Sequence, residues 1–204
     1  SWNPIEAFNF TVANDDHNCY TFDMRRLSRN GALTVHKDHV AAVMSVDYAP
    51  TGREFVTGSY DKTVRIFEHT VGRSREVYHT KRMQRVFGVV FSLDAGYVVS
   101  ASDDCDVRVW KSHRSRPVIP QLPRETQKVQ TAEKLIDRYA NVPEVRRIAK
   151  RRHVPKHVLS MVRTKSDIAK SQKRKESNVR KNSKRGAGPK RIPERKQAVV
   201  REIE

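Results

Sequence analysis

Two stretches of this chain repeat each other 43 residues apart with no gap between them. The first is VDYAPTGREFVTGSYDKTVRIF, from Val46 to Phe67; the second is VVFSLDAGYVVSASDDCDVRVW, from Val89 to Trp110. A weaker copy, TVANDDHNCYTF, precedes them and ends at Phe22, 45 residues before Phe67. Self-similarity at this period marks a supersecondary unit that cannot bury its apolar face alone and must stack on its neighbours. The first half of the chain is therefore an array of such units.

Within a copy the pattern predicts short strands. Val43–Tyr48 alternates as an inner strand, and Pro50-Thr51-Gly52 supplies a turn. Phe55–Ser59 is a second strand, and Asp61-Lys62 makes a tight turn. Thr63–Phe67, with Val64 and Ile66 at period two, is a third strand, and Glu76–His79 is the outer one. Three or four antiparallel strands per copy make the blade of a β-propeller.

The copies resemble the WD-repeat family at particular positions. In that family a His, a Ser or Thr, an Asp and a Trp form a buried hydrogen-bonded tetrad in each blade. His39, Thr57, Asp61 and Phe67 occupy those places in the second copy, where Phe67 brings no indole donor. Ser100, Asp104 and Trp110 match in the third copy, with Arg82 where His is expected, and the first copy keeps Asp16 with Phe22. A buried Asp requires partners, so the resemblance implies structural roles for these residues. A ring closes at about 4–8 blades, and only two and a half are legible here. The third copy ends at Trp110 with prolines following, and the chain opens at Ser1 rather than Met. The expectation is an all-β portion, residues 1–115, holding the last blades of a seven-bladed ring whose other blades lie upstream.

The rest of the chain differs in kind. Of the net charge of +18, residues 116–204 carry +17, from 26 Lys and Arg against 9 Asp and Glu; residues 1–115 balance 15 against 14. Such a segment attracts a polyanion. No apolar run approaches the ~18 residues of a membrane span, and the tail lacks the Trp, Phe and Leu face of a membrane-surface helix, so nucleic acid is favoured over membrane. After Pro117, Pro120 and Pro123, Glu125–Tyr139 reads as a helix with Val129, Ala132, Ile136 and Tyr139 on one face. Asn141-Val142-Pro143-Glu144 reads as the start of another. A third runs from Lys156 through Ile168-Ala169, completing a basic helical extension over 116–170. Arg146, Arg147, Lys150, Arg151, Arg152 and Lys156 are its candidate RNA contacts, made to phosphates and therefore salt-sensitive. Residues 171–204 have little to bury and much like charge, which predicts extended or disordered chain until bound. Lys173-Arg174-Lys175 and Lys184-Arg185 have the spacing of a nuclear import signal.

Four segments carry a narrower resemblance: WNPIEAFNFT, DDHNCYTFDMRRLSR, SREVYHTKRMQ and RRIAKRRHVP. They are similar to the C-terminal part of the Sof-like WD-repeat proteins of ribosome assembly (suppressor of fibrillarin), along most of the chain. That resemblance implies a nucleolar scaffold of the small-subunit processome, working on pre-ribosomal RNA with the box C/D guide particle and other processome proteins. A second motif, Phe22-Asp23-Met24-Arg25, is similar to the WD-x-R box of substrate receptors of cullin-RING ubiquitin ligases. There Arg25, set by Asp23, faces the adaptor; the alternative is a turn-closing pair.

Chemistry is otherwise sparse. Cys19 and Cys105 are too few for a disulfide framework and lack ligand spacing. His153 and His157 have Pro155 between them and no acidic or thiol neighbour, which disfavours zinc. Asp103, Asp104 and Asp106 lack the glycine and closing Glu of a calcium loop. There is no Gly-rich phosphate loop and no nucleophile elbow. The expectation is a binding protein with no metal, cofactor or catalytic residue.

Overall fold

The computed structural model describes residues 1–26, 31–114, 117–149 and 151–184. Ten strands form three antiparallel sheets. β1 (Asn9–Ala13), β2 (Cys19–Asp23) and β3 (Thr34–His36) make the first sheet. β4 (Val43–Tyr48), β5 (Glu54–Ser59), β6 (Val64–Glu68) and β7 (Ser74–Tyr78) make the second, and β8 (Val86–Phe91), β9 (Tyr97–Ser102) and β10 (Val107–Lys111) the third. Each sheet is a blade, and the fold is part of a β-propeller.

The repeat sets the register. Val46 pairs with Thr57, and Val56 with Ile66. One repeat later Val89 pairs with Ser100, and Val99 with Val109. One tight turn in every blade, between β1 and β2, between β5 and β6 and between β9 and β10, follows one rule. The residue after the turn Asp is left-handed in each: His17 (φ 71°), Lys62 (φ 64°) and Cys105 (φ 62°). None is glycine, so each turn carries a local cost that the Asp side chain offsets by capping it. Asp16 Oδ1 accepts from Asn18 N at 3.0 Å, and Asp61 Oδ1 from Thr63 N at 3.0 Å.

Alternation places one face of each blade on its neighbour. Phe55, Phe67, Tyr48, Val43 and Cys19 fill the space between the first and second sheets. Phe55 and Phe67 stack at 5.4 Å. Val56, Val64 and Ile66 meet Val86, Val89, Phe91 and Val98 between the second and third. Gly58 lets these two sheets approach. A Cβ there would lie 2.7 Å from Val86 Cγ1 and 2.9 Å from Val89 Cγ1. The opposite face of the third sheet is open, with Val90, Val107 and Val109 exposed. Among the described residues no fourth strand pairs with β10.

The polar half is helical: α1 (Pro123–Arg138), α2 (Pro143–Ala149) and α3 (Lys156–Asn182). The first begins two residues before its sequence expectation, because Pro123 occupies the first turn and Glu125 Oε2 accepts from Leu122 N at 3.3 Å. The third departs further. Extended or disordered chain was expected beyond Ser171, yet Ser171–Asn182 continues the helix. Gln, Lys, Arg and Glu are good helix formers and no Gly or Pro intervenes. Glu176 and Arg180 add an i,i+4 pair at 3.1 Å. Among the described residues no helix is long and apolar enough to cross a membrane.

The chain divides into two compact units, one of residues 1–112 with 154–204, the other of residues 113–153. The helical extension is thus split: α1 and α2 form their own unit, while α3 groups with the blades. Gly58→Ala is expected to destabilise the blades by about 1–3 kcal/mol, since the added methyl meets packed Val side chains. Urea unfolding checks this, with a lower midpoint at unchanged m-value.

Candidate functional site

The second blade brings His39, Thr57 and Asp61 together. Asp61 Oδ2 accepts from His39 Nδ1 at 2.9 Å, and Thr57 Oγ1 lies 2.7 Å from His39 Nε2. The Phe67 ring packs 6.1 Å from the imidazole without a hydrogen bond. Asp61 also accepts from Val40 N at 3.3 Å and Thr63 Oγ1 at 2.6 Å. Arg65, itself buried, bridges Asp61 at 3.8 Å and Asp38 at 3.5 Å. Burial alone pushes the Asp61 carboxyl up. His39, Arg65 and Thr63 outweigh it and hold the group ionised, well below the usual carboxylate range.

The third blade builds only part of this arrangement. Trp110 Nε1 donates to Ser100 Oγ at 2.8 Å. Asp104 is taken by Arg108, whose Nη1 donates to it at 3.0 Å, and this pairing keeps its carboxyl low. Arg82 lies exposed.

A second polar chain, absent from the sequence reading, joins the first two blades. Thr11 Oγ1 lies 2.8 Å from Thr21 Oγ1 and 2.6 Å from the Tyr48 hydroxyl. Thr21 Oγ1 reaches His36 Nε2 at 3.0 Å, and His36 Nδ1 reaches the Val71 carbonyl at 2.9 Å. Tyr48 also reaches His69 Nδ1 at 3.0 Å. Apart from His36, whose counterpart 43 residues on is His79, these residues do not recur between copies, so periodicity carried almost no signal for the chain. Burial pushes the His36 imidazole down to about 4.

Helix α3 docks across the turns of the first two blades. Val158 is fully buried, and His157 Nε2 donates to the Asp61 carbonyl at 3.1 Å. Lys165 is half-buried; burial lowers its pKa to about 8 despite the opposing charges of Asp61 and Asp16. Val158, Lys165 and Gln172 stand seven apart, which keeps them on one side of the helix. That spacing was in the sequence but lay hidden under the charge.

Asp23 and Arg25 form a closed pair. Arg25 Nε and Nη2 donate to the two Asp23 oxygens at 3.2 and 3.1 Å, and Arg25 N donates to Oδ1 at 2.9 Å. The hydrogen bond from Arg25 holds the Asp23 carboxyl below its usual range. The guanidinium lies 3.6 Å over the Phe8 ring with its side chain 58% exposed, so the pair both closes a turn and presents a cation at the surface.

Of the candidate RNA contacts, Arg146 and Arg147 are exposed on α2, Arg151 is exposed and Arg152 half-buried. Lys156 opens α3 in the other unit, and Lys150 lies outside the described residues. Lys173, Arg174 and Lys175 are exposed on α3, and Lys184 is exposed just after its end. Arg185 lies outside the described residues. Among the described residues no group of three His, Cys, Asp or Glu side chains is placed to hold a metal ion.

Comparison with known proteins matches residues 113–199 to the Sof1-like domain. Residues 30–68 and 75–111 match the WD domain, G-beta repeat. The chain is 49% identical over 199 residues to Protein SOF1 of Saccharomyces cerevisiae, covering 98% of this chain and 40% of that protein. It is 47% identical over 203 residues to DDB1- and CUL4-associated factor 13 of Danio rerio, covering 100% of this chain and 45% of the relative. The Homo sapiens protein of that name is 44% identical over 168 residues, 82% of this chain and 38% of its own length. The chain therefore spans less than half the length of these relatives.

His36 makes stability depend on pH. The folded imidazole is depressed to about 4 against an ordinary 6.5. Between those values the unfolded chain binds a proton that the folded one refuses, so stability is full above about pH 6.5 and falls as pH drops toward 4. The loss is on the order of 3 kcal/mol at the acid end. Buried His39 acts with the same sign. Denaturation midpoints across this window are expected to fall steadily, and His36→Gln to flatten part of the slope.

Proposed function

The chain belongs to the Sof1-like WD-repeat family, and on that premise we propose that it is a non-catalytic scaffold of small-subunit ribosome assembly. In this reading the blades dock proteins and the basic helices hold pre-ribosomal RNA. The observation that carries it is a coincidence of two boundaries. The segment bearing +17 of the net charge begins at residue 116, and the Sof1-like match begins at residue 113. A polyanion held mainly through phosphates suits an RNA-rich assembly.

The finer expectations follow from this reading. The protein works in the nucleolus, within the small-subunit processome and beside the box C/D guide particle. Arg146, Arg147, Lys150, Arg151, Arg152 and Lys156 contact RNA phosphates. Lys173, Arg174, Lys175, Lys184 and Arg185 serve nuclear import. The blade tetrads hold the scaffold rigid.

A second reading rests on Arg25. Several relatives bear the name DDB1- and CUL4-associated factor 13. A half-exposed guanidinium held by Asp23 is a suitable contact for a ligase adaptor. Both roles fit one scaffold, since Arg25 follows β2 of the first blade and the candidate RNA contacts are other residues, in the helical extension.

Reversing Lys150, Arg151 and Arg152 to Glu in the full-length protein is expected to weaken co-sedimentation with pre-ribosomes and slow small-subunit rRNA processing. Unchanged sedimentation and processing count against RNA contact there. Arg25→Ala is expected to reduce adaptor pull-down several-fold while leaving sedimentation intact; undiminished pull-down removes the adaptor reading.

A further inference from the structure

By sequence, a helix is expected from Lys156 through Ile168-Ala169, and extended or disordered chain bearing the import clusters from residue 171 on. The structure makes Lys156–Asn182 one helix whose sides differ. Val158, Lys165 and Gln172 lie on the docked side, where Val158 is buried and the other two are half-buried. Lys156, Arg163, Lys170, Arg174 and Lys181 are spaced by seven, seven, four and seven residues, and all five are exposed. At about 100° per residue these five fall within roughly 40° of arc, on the side away from the blades. They span about 37 Å of helix. One acidic residue lies at the ridge, Asp167, 3.6 Å from Lys170; Glu176, paired with Arg180, lies on the other side of the helix.

We propose that this outer ridge of α3 is a rigid binding surface for the sugar-phosphate backbone of double-helical RNA. Charge complementarity calls for a polyanion. A helix continuous over 27 residues suits a rod-like ligand, and docking of one side removes part of the ordering cost of binding. Single-strand readers rely on aromatic stacking. The segment from Lys156 to Asn182 contains no Phe, Tyr or Trp, so the ridge reads backbone and shape rather than bases. Lys173 and Lys175 flank it, which makes the same basic cluster part of a structured surface. The inference rests on the assembly reading for its RNA source and deepens it by naming the form of RNA and the contacting row.

The test uses the full-length protein and a fluorescent, perfectly paired RNA duplex. One variant carries Arg163→Glu, Lys170→Glu, Arg174→Glu and Lys181→Glu. A control reverses four exposed cations of the blades: Lys37, Arg53, Lys81 and Arg82. Circular dichroism checks that both keep their helix and sheet. The ridge variant is expected to bind duplex at least about tenfold more weakly, its log-log salt slope shallower by roughly 4, about 1 per lost phosphate contact. The control should stay within about threefold of the parent. Equal losses in the two variants mean that net charge alone acts, and overturn the proposal. So does a parent preference for single-stranded RNA or for an acidic polypeptide such as polyglutamate. Pre-ribosome sedimentation of the parent keeps the two ideas separable. A parent that sediments while the ridge variant binds duplex normally defeats the ridge alone; a parent that never sediments defeats the assembly reading.

Discussion

The Asp61 carboxylate is the constraint on which the rest depends. It sits in a tight turn whose next residue, Lys62, is left-handed. Its oxygens tie together His39 from the connection before the blade, Thr63 beyond the turn and Arg65 on β6. Its own carbonyl then receives His157 from α3. One residue thus joins the start of a blade, its turn, its third strand and a helix almost a hundred positions away. Leaving such a charge unpartnered costs about 3–5 kcal/mol, which is why its neighbours are as constrained as the residue itself.

The three blades vary around that theme. Only the second assembles the His, Thr and Asp trio, with Phe67 giving stacking on Phe55 in place of an indole hydrogen bond. The third replaces the histidine link with an Arg108 pair and retains the Trp110 contact to Ser100. The first relies on the Thr11, Thr21 and His36 chain shared with Tyr48 of the next blade. Where the repeat is weakest, the polar links thus run both within the blade and on to its neighbour.

The helical half gains its significance from where it sits. Residues 113–153 form one unit and α3 belongs to the other, so a segment of uniform composition serves two settings. Burying Val158 and half-burying Lys165 commits one side of α3 to the blades. The cations on the other side are thereby held in a row rather than dispersed along a free chain. A charge run in the sequence becomes a surface with a direction.

Repeat and composition by themselves determined the blade strands, the tight Asp turns and the concentration of charge in the second half; the tetrad places were what the family resemblance implied. These are legible because they follow local periods: two for a strand, 43 for the repeat. The tertiary structure alone decided that Ser171–Asn182 is helical and that α3 lies on the blades. It alone decided that Asp104 turns to Arg108, and that His36 is buried between two sheets. Each depends on partners distant in sequence, and a pattern within one segment does not encode which distant surface will desolvate it. The helix period at 158, 165 and 172 was present all along, but only packing selects one helical face as the buried one.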